Sequence, residues 1–184
     1  MVAGFVGPAV IDAIVNADSS QPADPTLPSD EGTKLEASLR KDVKDHPNDP
    51  QAMANLATYL SNTGNSTEAI AWYEKALALS PDDTDLRLVF ARTLSDDHKQ
   101  ADAELQFQKV IAADPHNPQA YFYLAELYRA WDPPRNTDAI KEYQNVIKVG
   151  PDTYVADQSR EQLVALGAAT PTASPSAATP GATP

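Results

Sequence analysis

The sequence predicts an all-α fold built as a solenoid of stacked helical hairpins, and three regularities point to it. Four prolines, Pro47, Pro81, Pro115 and Pro151, fall at intervals of 34, 34 and 36 residues, the length of a repeating two-helix unit. Ahead of them, small and large apolar residues recur in register. Leu35, Ala69, Ala103 and Ala139 stand twelve before the proline, Leu39, Tyr73, Phe107 and Tyr143 eight before, and Asp42, Ala76, Val110 and Val146 five before. A small residue lets two helices approach closely, and the aromatic one turn later fills the gap. Earlier in each unit, Met53/Leu56/Ala57/Leu60, Arg87/Phe90/Ala91/Leu94 and Tyr121/Leu124/Ala125/Tyr128 share the spacing i, i+3, i+4, i+7, one face of an α-helix.

The corners carry their own signals. HPNDPQA, SPDDTDL and DPHNPQA are three versions of one turn, each closing a helix and opening the next. In two of them an Asp or Asn precedes proline at the first helical position, Asp49–Pro50 and Asn117–Pro118, a favoured helix start because proline lacks the N–H that would go unbonded there. Asn65-Ser66-Thr67 fits a glycosylation sequon, but Asn65 followed by Glu68 also fits a helix N-cap with its capping-box partner, which is the preferred reading.

The pattern resembles the tetratricopeptide repeat family, in which W-x2-L-G-x2-Y, A-x3-F and P recur over about 34 residues. The resemblance covers residues 33–151 and implies three full repeats, 50–83, 84–117 and 118–153. Lys34 to His46 matches only the second helix of a unit, and Asp42 departs from its small-residue rule, so this stretch reads as an N-terminal half-repeat. The two extra residues of the third repeat fall in its inner turn, WDPPRNT, where insertions are tolerated. After Pro151, the stripe Ala156, Ser159, Leu163, Leu166 marks a capping helix over 154–166. Its polar remainder is what a solenoid needs to end its core.

The flanks differ in kind. Residues 1–15 are apolar apart from Asp12, too few for a full span and without the basic lead of a signal peptide. Three readings stand open: the end of a transmembrane anchor, an amphipathic docking segment that also permits self-association, or an apolar leader. Residues 16–32, with three prolines, read as an extended linker. Residues 167–184 hold only Gly, Ala, Thr, Pro and Ser and read as a disordered tail open to O-glycosylation.

Composition excludes several functions. There are no cysteines, hence no disulfide, thiolate metal site or cysteine nucleophile. A net charge of −12 argues against nucleic acid and against anionic lipid surfaces. His46, His98 and His116 sit in turns and read as solvated. Asp82/Asp83 and Asp96/Asp97 lack the calcium-loop pattern with its central glycine and read as helix caps. No nucleophile elbow, P-loop or dinucleotide fingerprint is present. The expectation is a protein that is not an enzyme and uses no metal or cofactor.

What remains is binding. In the tetratricopeptide family, positions 2, 5, 9 and 12 of each first helix face a concave groove, which here implies Gln51, Ala54, Thr58 and Ser61; Asp85, Leu88, Arg92 and Ser95; Gln119, Phe122, Glu126 and Arg129. The chaperone-binding members hold a C-terminal carboxylate with Lys and Asn; the matching positions here are Ala54, Thr58, Val89, Gln119 and Tyr123, so chaperone tails are not expected. Asn55 is the nearest amide able to reach a peptide backbone. The partner-binding set is therefore Asn55, Thr58, Leu88, Arg92, Phe122, Tyr123, Glu126 and Arg129, with aromatic and Arg anchors supplying most of the affinity for a peptide or protein. Against this stands the bland alternative that Leu88 and Phe122 pack between repeats. Phe122, Tyr123 and Trp131 have the claim on a partner; Tyr121 and Tyr128 occupy core positions, and Trp72 half-covers the convex side.

The order apolar segment, proline-rich spacer, repeat domain resembles periplasmic assembly factors such as those serving c-type cytochrome maturation. That implies a bacterial scaffold anchored in the envelope with its repeats outside the cytoplasm, the alternatives being extracellular or cytoplasmic. The rival from another class is a structural subunit that self-assembles through residues 1–15.

Overall fold

A computed structural model describes residues 30–169; the apolar segment 1–15, most of the linker and the tail beyond Ala169 lie outside them. By contacts the chain divides after Leu35, within the first helix, and the stacked hairpins belong to the unit from Glu36 onward. The described residues form eight helices and no strand: α1 Asp30–Asp45, α2 Pro50–Asn62, α3 Ser66–Leu79, α4 Thr84–Asp96, α5 Gln100–Ala113, α6 Pro118–Arg129, α7 Asn136–Val149 and α8 Tyr154–Ala165. Helix α1 starts three residues before the sequence reading placed it. Asp30 and Glu31 fall in its first turn, where acidic residues are favoured by the helix dipole.

Helices α2–α3, α4–α5 and α6–α7 form three hairpins, and each hairpin packs on the next, with α8 closing against α6 and α7. This is the three-repeat solenoid with a half-repeat before it and a capping helix after it. The register residues explain the packing. Ala69, Ala103 and Ala139 have no exposed surface, and neither do Phe107, Tyr143, Val110 and Val146. Ala57, Ala91 and Ala125 on the first helices are equally closed off, and small side chains on both helices of a hairpin let their backbones approach closely. In α1 the buried residue is Val43, one place after Asp42. A side chain one position on turns about 100° around the helix, so the half-repeat keeps an apolar face despite its departure from the pattern. Its attachment is polar as well, because Arg40 donates to both carboxylate oxygens of Glu68 at 2.6 and 2.8 Å.

First helices are capped by side chains. The Asp49 carboxylate accepts from the Gln51 N–H, Asp83 from Leu86, and Asn117 from both Gln119 and Ala120. Second helices are not. The capping box expected at Asn65 is absent: Asn65 makes no side-chain cap bond, and its amide instead donates to the Glu68 side chain at 3.1 Å. The reason is that the Asn65 backbone N–H, which the box would satisfy, already donates to the Leu60 carbonyl at 2.8 Å. Lys99 reaches Leu94 in the same way at 2.9 Å, and Arg135 reaches Tyr128 at 2.9 Å across the longer third turn. These closures follow a residue in left-handed conformation in the first two repeats, Gly64 (φ 83°) and His98 (φ 58°), the usual way a helix C-terminus turns back on itself.

Candidate functional site

The candidate groove is built from the face of α2, α4 and α6 that carries Thr58, Arg92 and Glu126, which are 34 residues apart and therefore equivalent. Opposite them on the second helices stand Tyr73, Phe107 and Tyr143, also equivalent by their distance from the corner prolines. In the first repeat the Thr58 hydroxyl lies 2.9 Å from Tyr73 Oη and donates to the Ala54 carbonyl. In the third, the Tyr143 hydroxyl donates to Glu126 Oε1. Burial pushes both tyrosine hydroxyls above the usual phenol range; Thr58 pulls Tyr73 partly back, whereas the Glu126 carboxylate pushes Tyr143 further up. Both side chains therefore stay neutral donors under all ordinary conditions.

The middle repeat differs because its second helix carries Phe107. Arg92 finds no hydroxyl there, and its guanidinium lies over the Tyr123 ring at 4.6 Å. Tyr123 stacks on Phe107 with centroids 6.3 Å apart and meets Phe122 edge-on at 5.7 Å, while Phe122 lies 6.1 Å from Tyr143. Phe122 and Tyr123 are partly buried against the core and keep one side in solvent. Arg129 pairs with Glu126 at 3.0 Å, and this contact raises the guanidinium pKa. The structure thus gathers Arg92, Phe122, Tyr123, Glu126 and Arg129 into one connected patch.

The remaining expected residues fall differently. Thr58 is exposed but already bonded to Tyr73. Asn55 is exposed and accepts from Gln51 Nε2 at 2.9 Å. Leu88 is 6% exposed and sits in the core, so it offers no surface to a partner; the exposed apolar side chain on α4 is Val89, at 37%. Helix α4 lies between two hairpins and buries Leu86, Leu88, Phe90 and Leu94 together, a wider apolar face than one stripe. Val89, adjacent to Phe90 in the chain, turns about 100° around the helix from it and leaves the buried face. Trp131 packs with Tyr128 beneath the Arg135 guanidinium and is tied into the third turn. Trp72 donates to Glu68 at 3.1 Å and lies under the Lys75 ammonium.

A second concavity, of about 410 Å³, opens between α3 and α5 over Phe90 and Leu94, with Ile70 and Leu77 on one wall and Lys99 at its rim. By helical period its α4 residues Arg87, Phe90 and Leu94 face away from Arg92. The same place one repeat later is filled. There Glu104 stands where Ile70 does, Tyr128 where Leu94 does, and Arg135 pairs with Glu104 at 3.2 Å while lying 4.2 Å over the Tyr128 ring.

Groups suited to other chemistry are dispersed. Among the described residues no three His, Asp or Glu side chains are placed to share a metal ion, and no helix is long and apolar enough to cross a membrane. His46 is held by Asp42, its Nδ1 2.8 Å from Oδ1, which raises its pKa.

Comparison with known proteins adds two findings. A family profile described as the cytochrome c-type biogenesis protein H TPR domain matches residues 16–154. Among solved structures, the chain is similar to YrrB, described as a TPR protein with an unusual peptide-binding site (TM-score 0.63, 19% identity, 71% of this chain and 66% of that one). It is also similar to MamA from Desulfovibrio magneticus RS-1 (TM-score 0.60, 18% identity, 75% and 82%). A third likeness is the first TPR of Spaghetti (RPAP3), solved with an HSP90 peptide (TM-score 0.55, 21% identity, 65% and 94%). At these identities the likeness is one of fold. No curated protein matches the sequence.

Proposed function

Because the chain belongs to the cytochrome c-type biogenesis protein H TPR domain family, we propose that it is a protein-binding scaffold whose groove holds a segment of a client in the assembly of an envelope complex. The observation that carries this reading is the patch of Arg92, Tyr123 and Phe122. It places two half-exposed aromatic rings and an exposed guanidinium on one face, the residue types that dominate binding energy at interfaces. YrrB and the RPAP3 domain are described as having a peptide-binding site and as bound to a peptide, and the same use of the fold supports a peptide-like ligand here. No catalytic role is proposed.

The family description points to a polypeptide undergoing c-type cytochrome maturation as the client. The test is calorimetric titration of the full chain with a haem-free c-type cytochrome polypeptide. Tyr123→Ala and Arg92→Gln are expected to weaken binding by about tenfold each, equivalent to ~1.4 kcal/mol, with helical content unchanged. Unaltered binding in both variants overturns the groove as the site.

The apolar stretch 1–15 and the spacer 16–32 support an envelope location with the repeats outside the cytoplasm; resistance of the chain to carbonate extraction from membranes, together with protease access from the outer side, is the matching experiment. A second reading, a self-assembling subunit, is favoured by the exposure of Tyr154 (76%) and Val164 (70%) on α8 together with the apolar segment 1–15. Deleting residues 1–16 separates the two: loss of large assemblies supports the subunit, whereas an unchanged monomer that still binds its client supports the scaffold.

A further inference from the structure

We propose that Arg92 is the anion anchor of the groove, receiving one carboxylate of the bound segment while an adjacent apolar side chain lies against Phe122 and Tyr123. This rests on the groove reading above and names the chemistry that the groove selects.

Thr58, Arg92 and Glu126 occupy one equivalent position in the three repeats. Thr58 and Glu126 both spend their polar atoms inside the protein, on Tyr73 and on Tyr143 and Arg129. Arg92, at the same position between them, does not, because Phe107 replaces the tyrosine. The other arginines confirm how unusual this is. Arg40, Arg129, Arg135 and Arg160 each pair with a carboxylate, and Arg87 donates to Gln106 and to the Pro81 carbonyl. Among the described residues, Arg92 makes no hydrogen bond or ion pair; its guanidinium lies over the face of Tyr123, and its charge also acts on the Tyr73 hydroxyl.

That contact leaves the hydrogen-bonding edge of the guanidinium unused. Stacking on an aromatic face orients the planar fork without occupying its N–H donors, and five such donors match a carboxylate in bidentate geometry. Tyr123 is itself held between Phe107 and Phe122, so the platform is braced from both sides. The wider charge gives the position its selectivity. In a chain of net charge −12 an anionic group is repelled over most of the surface, and Asp85 and Glu126 flank this face of α4 and α6. On this face of the helices an acid is accepted at Arg92, whose N–H donors meet no carboxylate of the described residues, whereas Arg129 beside it is already paired with Glu126. A segment carrying one carboxylate beside an apolar residue fits; a strongly acidic one does not.

The carboxylate has two sources, a chain terminus or an Asp/Glu side chain, and three dipeptide probes separate them: N-acetyl-Ala-Phe with a free carboxylate, N-acetyl-Asp-Phe-amide, and neutral N-acetyl-Asn-Phe-amide. Each is titrated to millimolar concentration into the full chain while the backbone amides and arginine Nε–H signals are followed by NMR. The expected result is saturating shifts of Arg92 Nε–H and the Tyr123 amide with at least one acidic probe, about tenfold tighter than with the neutral one. Arg92→Gln is expected to abolish that difference while leaving the neutral probe within about twofold. Response to the first acid alone assigns a chain terminus, to the second alone a side chain, and to both a general carboxylate site. If the neutral probe binds as tightly at Tyr123, the anion anchor is overturned and the groove reading stands. Arg92 left unmoved by every probe also overturns the anchor. Shifts confined to Ile70 and Phe90 overturn both. Because Arg92 is exposed, the Gln variant is expected to keep its melting temperature, which makes the comparison readable.

Discussion

The Tyr128 hydroxyl donates to Glu104 Oε1 across 2.6 Å, joining the first helix of the third repeat to the second helix of the repeat before it. The same carboxylate receives Arg135, whose guanidinium covers the Tyr128 ring. Burial first, and the Glu104 carboxylate second, raise the Tyr128 pKa, so the phenol is the donor of this bond at neutral pH.

Tyr128→Phe removes this bond and leaves the ring in place. It is expected to lower the unfolding free energy by about 1–2 kcal/mol, the cost of losing a hydrogen bond to a charged acceptor that still has another partner. Urea denaturation measures it. A change of less than about 0.3 kcal/mol would mean that water replaces the hydroxyl without loss.

Glu68 gives the acid response of the half-repeat. Its carboxyl pKa is held down to about 2 by the hydrogen bonds from Arg40 and then from Trp72. A depressed acid contributes stability above its unfolded pKa, and that contribution fades as pH falls from about 4.5 towards about 2. Side chains of the pair are 41% and 33% exposed, so solvent screening limits the contribution to at most about 1 kcal/mol. The Trp72 indole N–H, which donates to Glu68, is the reporter. Its NMR shift is expected to titrate well below pH 4 in the native protein and to lose that step in Glu68→Gln.

Helix caps separate the two kinds of helix start. Asn117→Ala is expected to cost about 1 kcal/mol, because its side chain satisfies two backbone donors of α6, whereas Asn65→Ala is expected to cost only a few tenths. Equal losses by thermal denaturation would show that the Asn117 side chain adds nothing to α6 as a cap.

The turn residues Gly64 and His98 predict opposite signs. Both adopt positive φ, and nothing lies within 4 Å of a Cβ added at Gly64, so only the backbone decides. Gly64→Ala is expected to destabilise by about 1 kcal/mol, and His98→Gly to stabilise by up to about 1 kcal/mol. Chemical denaturation of the pair checks both; a destabilised His98→Gly would show that the histidine ring makes up for its strained backbone.

The fold was legible in the sequence because its packing is periodic. The proline corners and the Ala–aromatic pairs at Ala69/Tyr73, Ala103/Phe107 and Ala139/Tyr143 state where helices meet, and position alone carries that information. The groove was less so. Leu88 was read outward by family position, but α4 is enclosed by hairpins on both sides and takes it into the core. The Asn65 box looked right by composition, yet its donor was already engaged by Leu60, a bond that depends on how the preceding helix ends. Arg92 was visible as a groove residue, while its lack of a partner depends on Phe107 fifteen residues away in sequence and on Tyr143 holding Glu126 in the next repeat. Such facts belong to pairs, and a linear reading shows members.

The third inner turn bears on how this chain tolerates change. Its N–H at Arg135 returns to the Tyr128 carbonyl, the counterpart of the carbonyls at Leu60 and Leu94 that close the shorter turns. Apart from Trp131, which packs on Tyr128, the excursion ends where it began, and the helix that follows starts from the same anchor as in the shorter turns. Residues 132–134, exposed between Trp131 and Arg135, are thus an editable site, where the chain can lengthen or acquire a tag while Ala139 and Tyr143 keep their seats against α6.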